Sequence, residues 1–127
     1  MKVYNNHMKN KYERLGLIEE EIAKGLLELN LNTMQEYDEA VLFFLNDTHF
    51  EEIGDFLDVG DFAMAKDATK GLFYLAGDLM LFPLYEKILE VLADLNDEDY
   101  SEVIKHYEAM LESRNAFIKE FSCTELS

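Results

Sequence analysis

The stretch that decides the fold of this chain is residues 61–80, DFAMAKDATKGLFYLAGDLM. Within it, six mostly apolar residues recur at intervals of three and four, the spacing of one helix face: Phe62, Ala65, Thr69, Leu72, Ala76 and Leu79. Phe73, Leu75 and Met80 flank this stripe, so we expect a helix that is apolar around most of its girth and central in the fold. A second stripe lies well round the same helix: Ala63, Asp67, Lys70, Tyr74 and Gly77.

Two helices are predicted before this segment. The first runs from about residue 18 to residue 29. The second opens at Thr33-Met34-Gln35-Glu36, which has the capping-box pattern of a hydroxyl followed three residues later by a glutamate. It should reach about residue 58, although Asn46-Asp47-Thr48 are poor helix formers that could bend or break it.

Two further helices are predicted after the segment. Pro83 suits the first turn of the fourth helix, where its missing N–H costs nothing. Residues 96–99 should end that helix and cap the fifth, whose apolar residues keep helical spacing from Tyr100 to Phe121. Short connections between long amphipathic helices favour antiparallel neighbours. We therefore predict an all-α fold, an antiparallel up-down four-helix bundle with an additional N-terminal helix.

Charge divides the chain into two parts. Residues 1–14 hold Lys2, Lys9, Lys11 and Arg14 against Glu13, a net charge of +3. Because the whole chain has a net charge of −16, the other residues carry −19. We predict a basic N-terminal arm at 1–16 and one helical domain at 17–127. The arm is either solvated or folded against the acidic body or a partner, and the sequence leaves both interpretations open. The overall charge disfavours nucleic acid and anionic membranes as partners.

The sequence offers little support for catalysis or metal binding. It has no Glu-x-x-His tetrapeptide, no glycine-rich phosphate loop, no His-Glu-x-x-His motif and only one cysteine, Cys123. The three histidines, His7, His49 and His106, are interpreted as surface or half-buried residues. We predict no cofactor and no metal. Without a signal peptide or an apolar run of about 18 residues, we also expect a cytoplasmic location.

Four short motifs carry a resemblance to a known family. They are Val59-Gly60-Asp61-Phe62, Lys70-Gly71-Leu72-Phe73-Tyr74, Ala76-Gly77-Asp78-Leu79 and Pro83-Leu84-Tyr85-Glu86. On these motifs, residues 48–92 resemble the histidine-containing phosphotransfer (Hpt) domains, and a weaker match extends over 17–121. Members of that family have "AGD", "HxxKG" and "GNLG…PLYE"-like motifs in this order. The resemblance implies an Hpt-like helical bundle that acts in two-component phosphorelay signalling.

The alignment places a lysine where the family has its phospho-accepting histidine. Without gaps from residue 60 to 86, that histidine falls on Lys70, and the family's following Lys and Gly fall on Phe73 and Tyr74. A rival register matches Thr69-Lys70-Gly71 to the family's "LKG" and puts Asp67 at the histidine position. We prefer the ungapped register, because the rival needs three extra residues that would turn the downstream core stripe away. Neither register supplies a histidine.

These substitutions predict a domain that binds without transferring phosphate. Neutral imidazole can accept a phosphoryl group near pH 7, whereas a solvent-facing lysine is protonated and has no lone pair to offer. Phe73 brings no charge, and Tyr74 adds bulk where the family leaves room for its partner. We therefore expect a non-enzymatic pseudo-Hpt domain that binds a response-regulator receiver domain or a histidine kinase. The predicted partner-binding residues are Ala63, Asp67, Lys70, Phe73, Tyr74 and Gly77.

Two alternatives remain open at this point. The chain could be an interaction or self-association module that kept only the fold, since aromatic residues gather around the former site: Phe73, Tyr74, Phe82 and Tyr85. The lesser alternative is an active phosphotransferase that uses another histidine.

Overall fold

The computed structural model describes residues 11–122, and this part of the chain is all-helical. Its helices are α1 (Lys11–Arg14), α2 (Glu19–Glu28), α3 (Met34–Leu45), α4 (His49–Asp58), α5 (Phe62–Asp78), α6 (Phe82–Asp97) and α7 (Val103–Ser122). The predicted all-α class is thus confirmed. Residues 1–10 of the predicted basic arm, which include His7, lie outside the described residues, as does Cys123.

The predicted capping box opens α3. The Oγ1 atom of Thr33 accepts a hydrogen bond of 3.1 Å from the backbone N–H of Glu36. In return, the Glu36 carboxylate accepts one of 2.7 Å from the backbone N–H of Asn32. Two N–H groups at this helix end therefore have side-chain acceptors, which confirms the predicted helix start.

The predicted interruption between α3 and α4 is also confirmed, and it is a complete break. The Asn46 side chain donates to the carbonyl of Leu42 at 2.9 Å, where α3 ends. After Asn46, the backbone N–H of His49 donates to the Asp47 carboxylate at 2.8 Å, where α4 begins. The short polar side chains of Asn46 and Asp47 bond the backbone locally, and such bonds compete with a continuous helix.

The fifth predicted helix begins later than expected. We predicted helical spacing from Tyr100, but α7 begins at Val103. The Asp99 carboxylate accepts hydrogen bonds from the backbone N–H and the hydroxyl of Ser101, which fold residues 99–101 into a turn. Tyr100 lies outside the helix and stacks on Phe62, with ring centroids 3.8 Å apart and planes 7° apart.

Helix α5 packs closely against two other helices and α7 against three, so the central place that we predicted for α5 is not confirmed. Helix α5 lies between α4 and α6, α6 packs against α7, and α7 in turn contacts both α3 and α4. The predicted inward residues of α5 are buried, with Phe62 half-buried. Thr69 is the polar member of this stripe, and its hydroxyl donates to the carbonyl of Ala65 at 2.7 Å. The buried hydroxyl is therefore satisfied within its own helix.

A buried arginine from α7 spans the break between α3 and α4. Arg114 is only 7% exposed, and its Nη1 atom donates to the carbonyl of Leu45, the last residue of α3, at 3.0 Å. Its Nη2 atom pairs with Glu51 in the first turn of α4, and its guanidinium lies 4.9 Å from the centre of the Phe50 ring. The hydroxyl of Tyr107 donates to the carbonyl of Phe50 at 2.6 Å. Helix α7 thus holds the two helices on either side of the break.

We expect Arg114→Met to lower the free energy of unfolding by about 2–3 kcal/mol, because the buried Leu45 carbonyl loses a charged donor and the Phe50 ring loses a neighbour. Little of this loss should come from the ion pair, since the Glu51 side chain is 62% exposed and water screens it. Urea denaturation measures the change.

The matched control is Lys105→Met, which also replaces a cation of α7 by methionine. Lys105 has an 80% exposed side chain and pairs with Glu102 at 3.6 Å, so its loss should cost about 0.5 kcal/mol or less. Equal losses for the two variants would contradict the role given to Arg114.

A buried tyrosine joins α3 to the end of α5. Tyr37 is fully buried, and its hydroxyl donates to the carbonyl of Leu79 at 2.6 Å. Burial raises the pKa of the Tyr37 hydroxyl far above its ordinary value of 10.0, and the nearby charges of Asp38 and Glu21 raise it further. The folded state therefore holds the Tyr37 proton at pH values where the unfolded chain releases it.

This difference predicts a loss of stability at alkaline pH. Above about pH 10 the folded state binds more protons than the unfolded state, so the free energy of unfolding falls as the pH rises, by up to about 1.4 kcal/mol per pH unit for one group. In Tyr37→Phe this contribution disappears, and stability should depend less steeply on pH from about pH 10 upward. Tyr74→Phe, which alters a 62% exposed ring, is the control and should keep the wild-type slope. Parallel slopes for wild type and Tyr37→Phe would refute the prediction.

Candidate protein-interaction face

The predicted partner-binding residues all lie on one side of α5, here called the α5 face: Ala63, Asp67, Lys70, Phe73, Tyr74 and Gly77. Ala63, Asp67, Lys70 and Tyr74 are exposed, while Phe73 and Gly77 are half-buried. The inward stripe of α5 is buried, so the helix presents this second stripe outward. Lys70 and Asp67, the two residues that the alternative registers place at the histidine position, are both exposed on this face.

Two lysines of α5 have no acidic partner among residues 11–122. Lys70 and the half-buried Lys66, one turn earlier, form neither a hydrogen bond nor an ion pair within that range. Lys24, Lys87 and Lys119 likewise form no ion pair in that range, whereas Lys11 pairs with Asp38 at 2.7 Å and Arg114 pairs with Glu51. In a chain with a net charge of −16, Lys70 of the α5 face and the neighbouring Lys66 therefore carry positive charge that no carboxylate among residues 11–122 pairs with. Lys66 was not predicted, although its spacing of four residues from Lys70 would have indicated it.

Aromatic rings form a continuous row, here called the aromatic ladder, from α5 to α6: Tyr74, Phe73, Tyr85 and Phe82. Phe73 stacks on Tyr85 with centroids 4.5 Å apart and planes 22° apart. Tyr74 meets Phe73 edge-on at 5.7 Å, and Phe82 meets Tyr85 edge-on at 5.5 Å. Tyr74, at 62% exposure, is the part of the ladder most open to a partner. Phe73 and Tyr85 are half-buried and pack against the core, so these two rings also contribute to the packing of α5 on α6.

A small pocket of about 130 Å³ adjoins the α5 face where α4 begins. Asp67 and Gly71 of α5 line it together with Asp47 and His49. The Nδ1 atom of His49 lies 2.6 Å from the Asp47 carboxylate. The sequence did not indicate that these residues meet, because the packing of α4 on α5 brings together positions about 20 residues apart.

The two described histidines occupy the environments that we predicted. The His49 side chain is 53% exposed, whereas that of His106 is 30% exposed and lies 2.6 Å from the Asp94 carboxylate. Among residues 11–122, no group of three or more His, Cys, Asp or Glu side chains is arranged to hold a metal ion. No helix in that same range is long and apolar enough to cross a bilayer. The groups that the α5 face does offer are cations, aromatic rings and one carboxylate, which suit non-covalent recognition of a protein surface.

Comparison with known proteins gives no assignment, since no family model, no curated protein and no solved structure matches this chain.

Two glycines of α5 provide a test of the aromatic ladder. A Cβ atom added at Gly71 would have no neighbour within 4 Å, but one added at Gly77 would lie 3.2 Å from the Tyr85 ring. We expect Gly71→Ala to raise the free energy of unfolding by about 0.5–1 kcal/mol, the usual gain in a helix interior. The same change at Gly77 should gain less or destabilise, because Tyr85 stacks on Phe73 and cannot retreat freely. Equal gains in thermal or urea unfolding would show that Tyr85 is not held in the ladder.

Proposed function

We propose that this chain is a non-catalytic Hpt-type domain whose α5 face docks a response-regulator receiver domain or a histidine kinase without carrying phosphate. The observation that carries the proposal is Lys70, which is exposed, has no hydrogen-bond or ion-pair partner among residues 11–122, and stands where the resemblance puts the phospho-accepting histidine.

The packing of the helices supports an up-down four-helix arrangement for this domain. Helices α4, α5, α6 and α7 pack in chain order, and α7 returns to contact both α3 and α4. The connections are short, with residues 59–61, 79–81 and 98–102 between successive helices. In the proposed arrangement, α3 and α4 together form one interrupted helix of the bundle, and α1 and α2 precede it. Successive helices with such connections run antiparallel.

The charges on the α5 face suit an acidic site on the partner. A receiver domain accepts phosphate on an aspartate within an acidic pocket, as the resemblance implies. Lys70 carries a positive charge that no described carboxylate of its own chain neutralises, so it can pair with carboxylates of that pocket. Lys66 adds a second positive charge one turn away.

The environment of Phe73 supports binding without transfer. In the family, as the resemblance implies, a lysine at this position helps to neutralise the phosphoryl group. Phe73 instead packs between Tyr74 and Tyr85, so it contributes apolar contact and no charge. A phosphoryl group at position 70 would therefore lack both its acceptor nitrogen and this supporting cation.

We expect Lys70→Glu to weaken binding to a cognate receiver domain by at least about tenfold, because it places like charges in contact. The measurement is titration calorimetry against a panel of purified, unphosphorylated receiver domains. Lys105→Glu is the matched control: it makes the same change of charge on α7, at a side chain that is 80% exposed, and should change binding less than about twofold. Equal weakening by both variants would indicate only long-range attraction and would contradict docking at Lys70.

A companion variant, Lys70→His, restores the phospho-accepting residue and tests by phosphoryl transfer whether the docking surface is retained. It leaves the aromatic ladder intact, because Lys70 is not part of it. Acceptance of phosphoryl label by Lys70→His but not by wild type would support a pseudo-Hpt domain. Label on the wild-type chain would refute it.

The second candidate function is an interaction or self-association module that kept only the fold. The aromatic ladder favours it, since a 62% exposed Tyr74 joined to three further rings is a suitable centre for an interface. If no receiver domain or kinase binds, and sedimentation shows the wild-type chain growing in mass with concentration, this second function replaces the first.

A further inference from the structure

A groove of about 500 Å³ lies between the α1–α2 region and the start of α3, apart from the α5 face. Leu17 and Ile22, both buried, and the half-buried Leu26 belong to its apolar lining, and Ala23 of α2 lines it as an exposed residue. Ile18 and Met34 also line it and remain 51% and 37% exposed. A concave groove of this volume with a largely apolar lining is suited to holding another apolar group.

The charges along the groove restrict what it can hold. Its charged lining residues are both acidic, Glu13 and Glu19. A second copy of this acidic chain would bring mostly carboxylates into direct contact with Glu13 and Glu19, which disfavours it as the occupant. The occupant that fits is a short segment with apolar side chains and positive charge.

Residues 1–10 of this chain, MKVYNNHMKN, have that character. They include four apolar or aromatic side chains, Met1, Val3, Tyr4 and Met8, together with Lys2 and Lys9, and no acidic residue. Ten residues in extended form can span up to about 33–36 Å, which is ample to follow a groove of this volume.

The described part of the basic arm lies at the edge of the groove. Tyr12 is itself a lining residue, and its hydroxyl donates to the Asp38 carboxylate at 2.7 Å. Lys11 pairs with the same carboxylate at 2.7 Å, and Arg14 pairs with Glu120 of α7 at 2.7 Å. Residues 11–14 are thus tied to α3 and α7, and residues 1–10 precede this anchored stretch directly in the sequence. Attraction between this basic arm and acidic residues of the body is already present in these pairs.

We propose that residues 1–10 dock in this groove, with their apolar side chains against the lining of α2 and their lysines near Glu13 and Glu19. Docking covers the apolar lining of the groove in the free chain. It does not depend on the function proposed for the α5 face.

Hydrogen exchange on the full chain, followed by mass spectrometry of the peptide containing residues 1–10, tests this proposal. We expect the amides of this peptide to exchange at least about tenfold more slowly than in an unfolded chain. Ala23→Arg places bulk and positive charge in the groove and should remove most of this protection. The matched control, Ala93→Arg, makes the same change at an exposed residue of α6 and should leave the protection as in wild type.

A second variant leaves the body of the protein untouched. Lys2→Glu-Lys9→Glu reverses the charge of the segment and should also remove the protection, whereas Lys2→Arg-Lys9→Arg should keep it. Exchange of wild-type residues 1–10 at the unfolded rate would overturn the proposal, and so would protection that survives both Ala23→Arg and the charge reversal. Protection that appears only when a separate basic protein is added would assign the groove to a partner and overturn docking by the chain's own segment.

Discussion

The contact of Arg114 with the break between α3 and α4 is the interaction on which the rest of the structure depends. A helix end leaves its last carbonyls without partners, and the residue at this end, Leu45, is fully buried. Arg114 satisfies the Leu45 carbonyl and reaches Glu51 across the break. Tyr107, two helical turns earlier on the same side of α7, binds the Phe50 carbonyl. One face of α7 thus positions two short helices that no continuous backbone helix joins.

The position of the α5 face follows from this constraint. Helix α7 fixes α4, and α4 packs along α5 on one side while α6 packs on the other. Between these neighbours, α5 buries its regular inner stripe and leaves its second stripe in solvent. Gly54 allows the close approach of α4 and α7, since a Cβ atom there would lie 2.7 Å from the Tyr107 hydroxyl. Helices α4 and α6, which both contact α7, cover α5 on two sides and leave the side that carries Lys70 in solvent.

Local patterns in the sequence predicted most of the helices. The features that these patterns did not predict depend on contacts between residues far apart in the chain. The stripe of α5, the capping box at Thr33 and the break at 46–48 depend on residues within a few positions of one another. No local pattern indicates that Arg114 is buried, because its partners are a carbonyl and a carboxylate from two other helices. Tyr100 has helical spacing with the apolar residues of α7, but the hydrogen bond between Asp99 and Ser101 folds it into a turn outside the helix. On the α5 face the residues themselves were predictable, whereas their proximity to His49 was not.

The charge distribution favours an acidic docking site over self-association through the α5 face. Two copies meeting at this face would bring Lys70 and Lys66 against the same lysines, within two chains that each carry −16. The aromatic ladder would gain contact area, but the lysines would gain no counter-charge. In the proposed complex, a receiver pocket would supply carboxylates for those lysines, and its rim would cover Tyr74. Long-range repulsion from an acidic partner is screened beyond about 8–10 Å at physiological salt, whereas a direct contact with Lys70 is not. Local complementarity therefore outweighs net charge in the choice of partner.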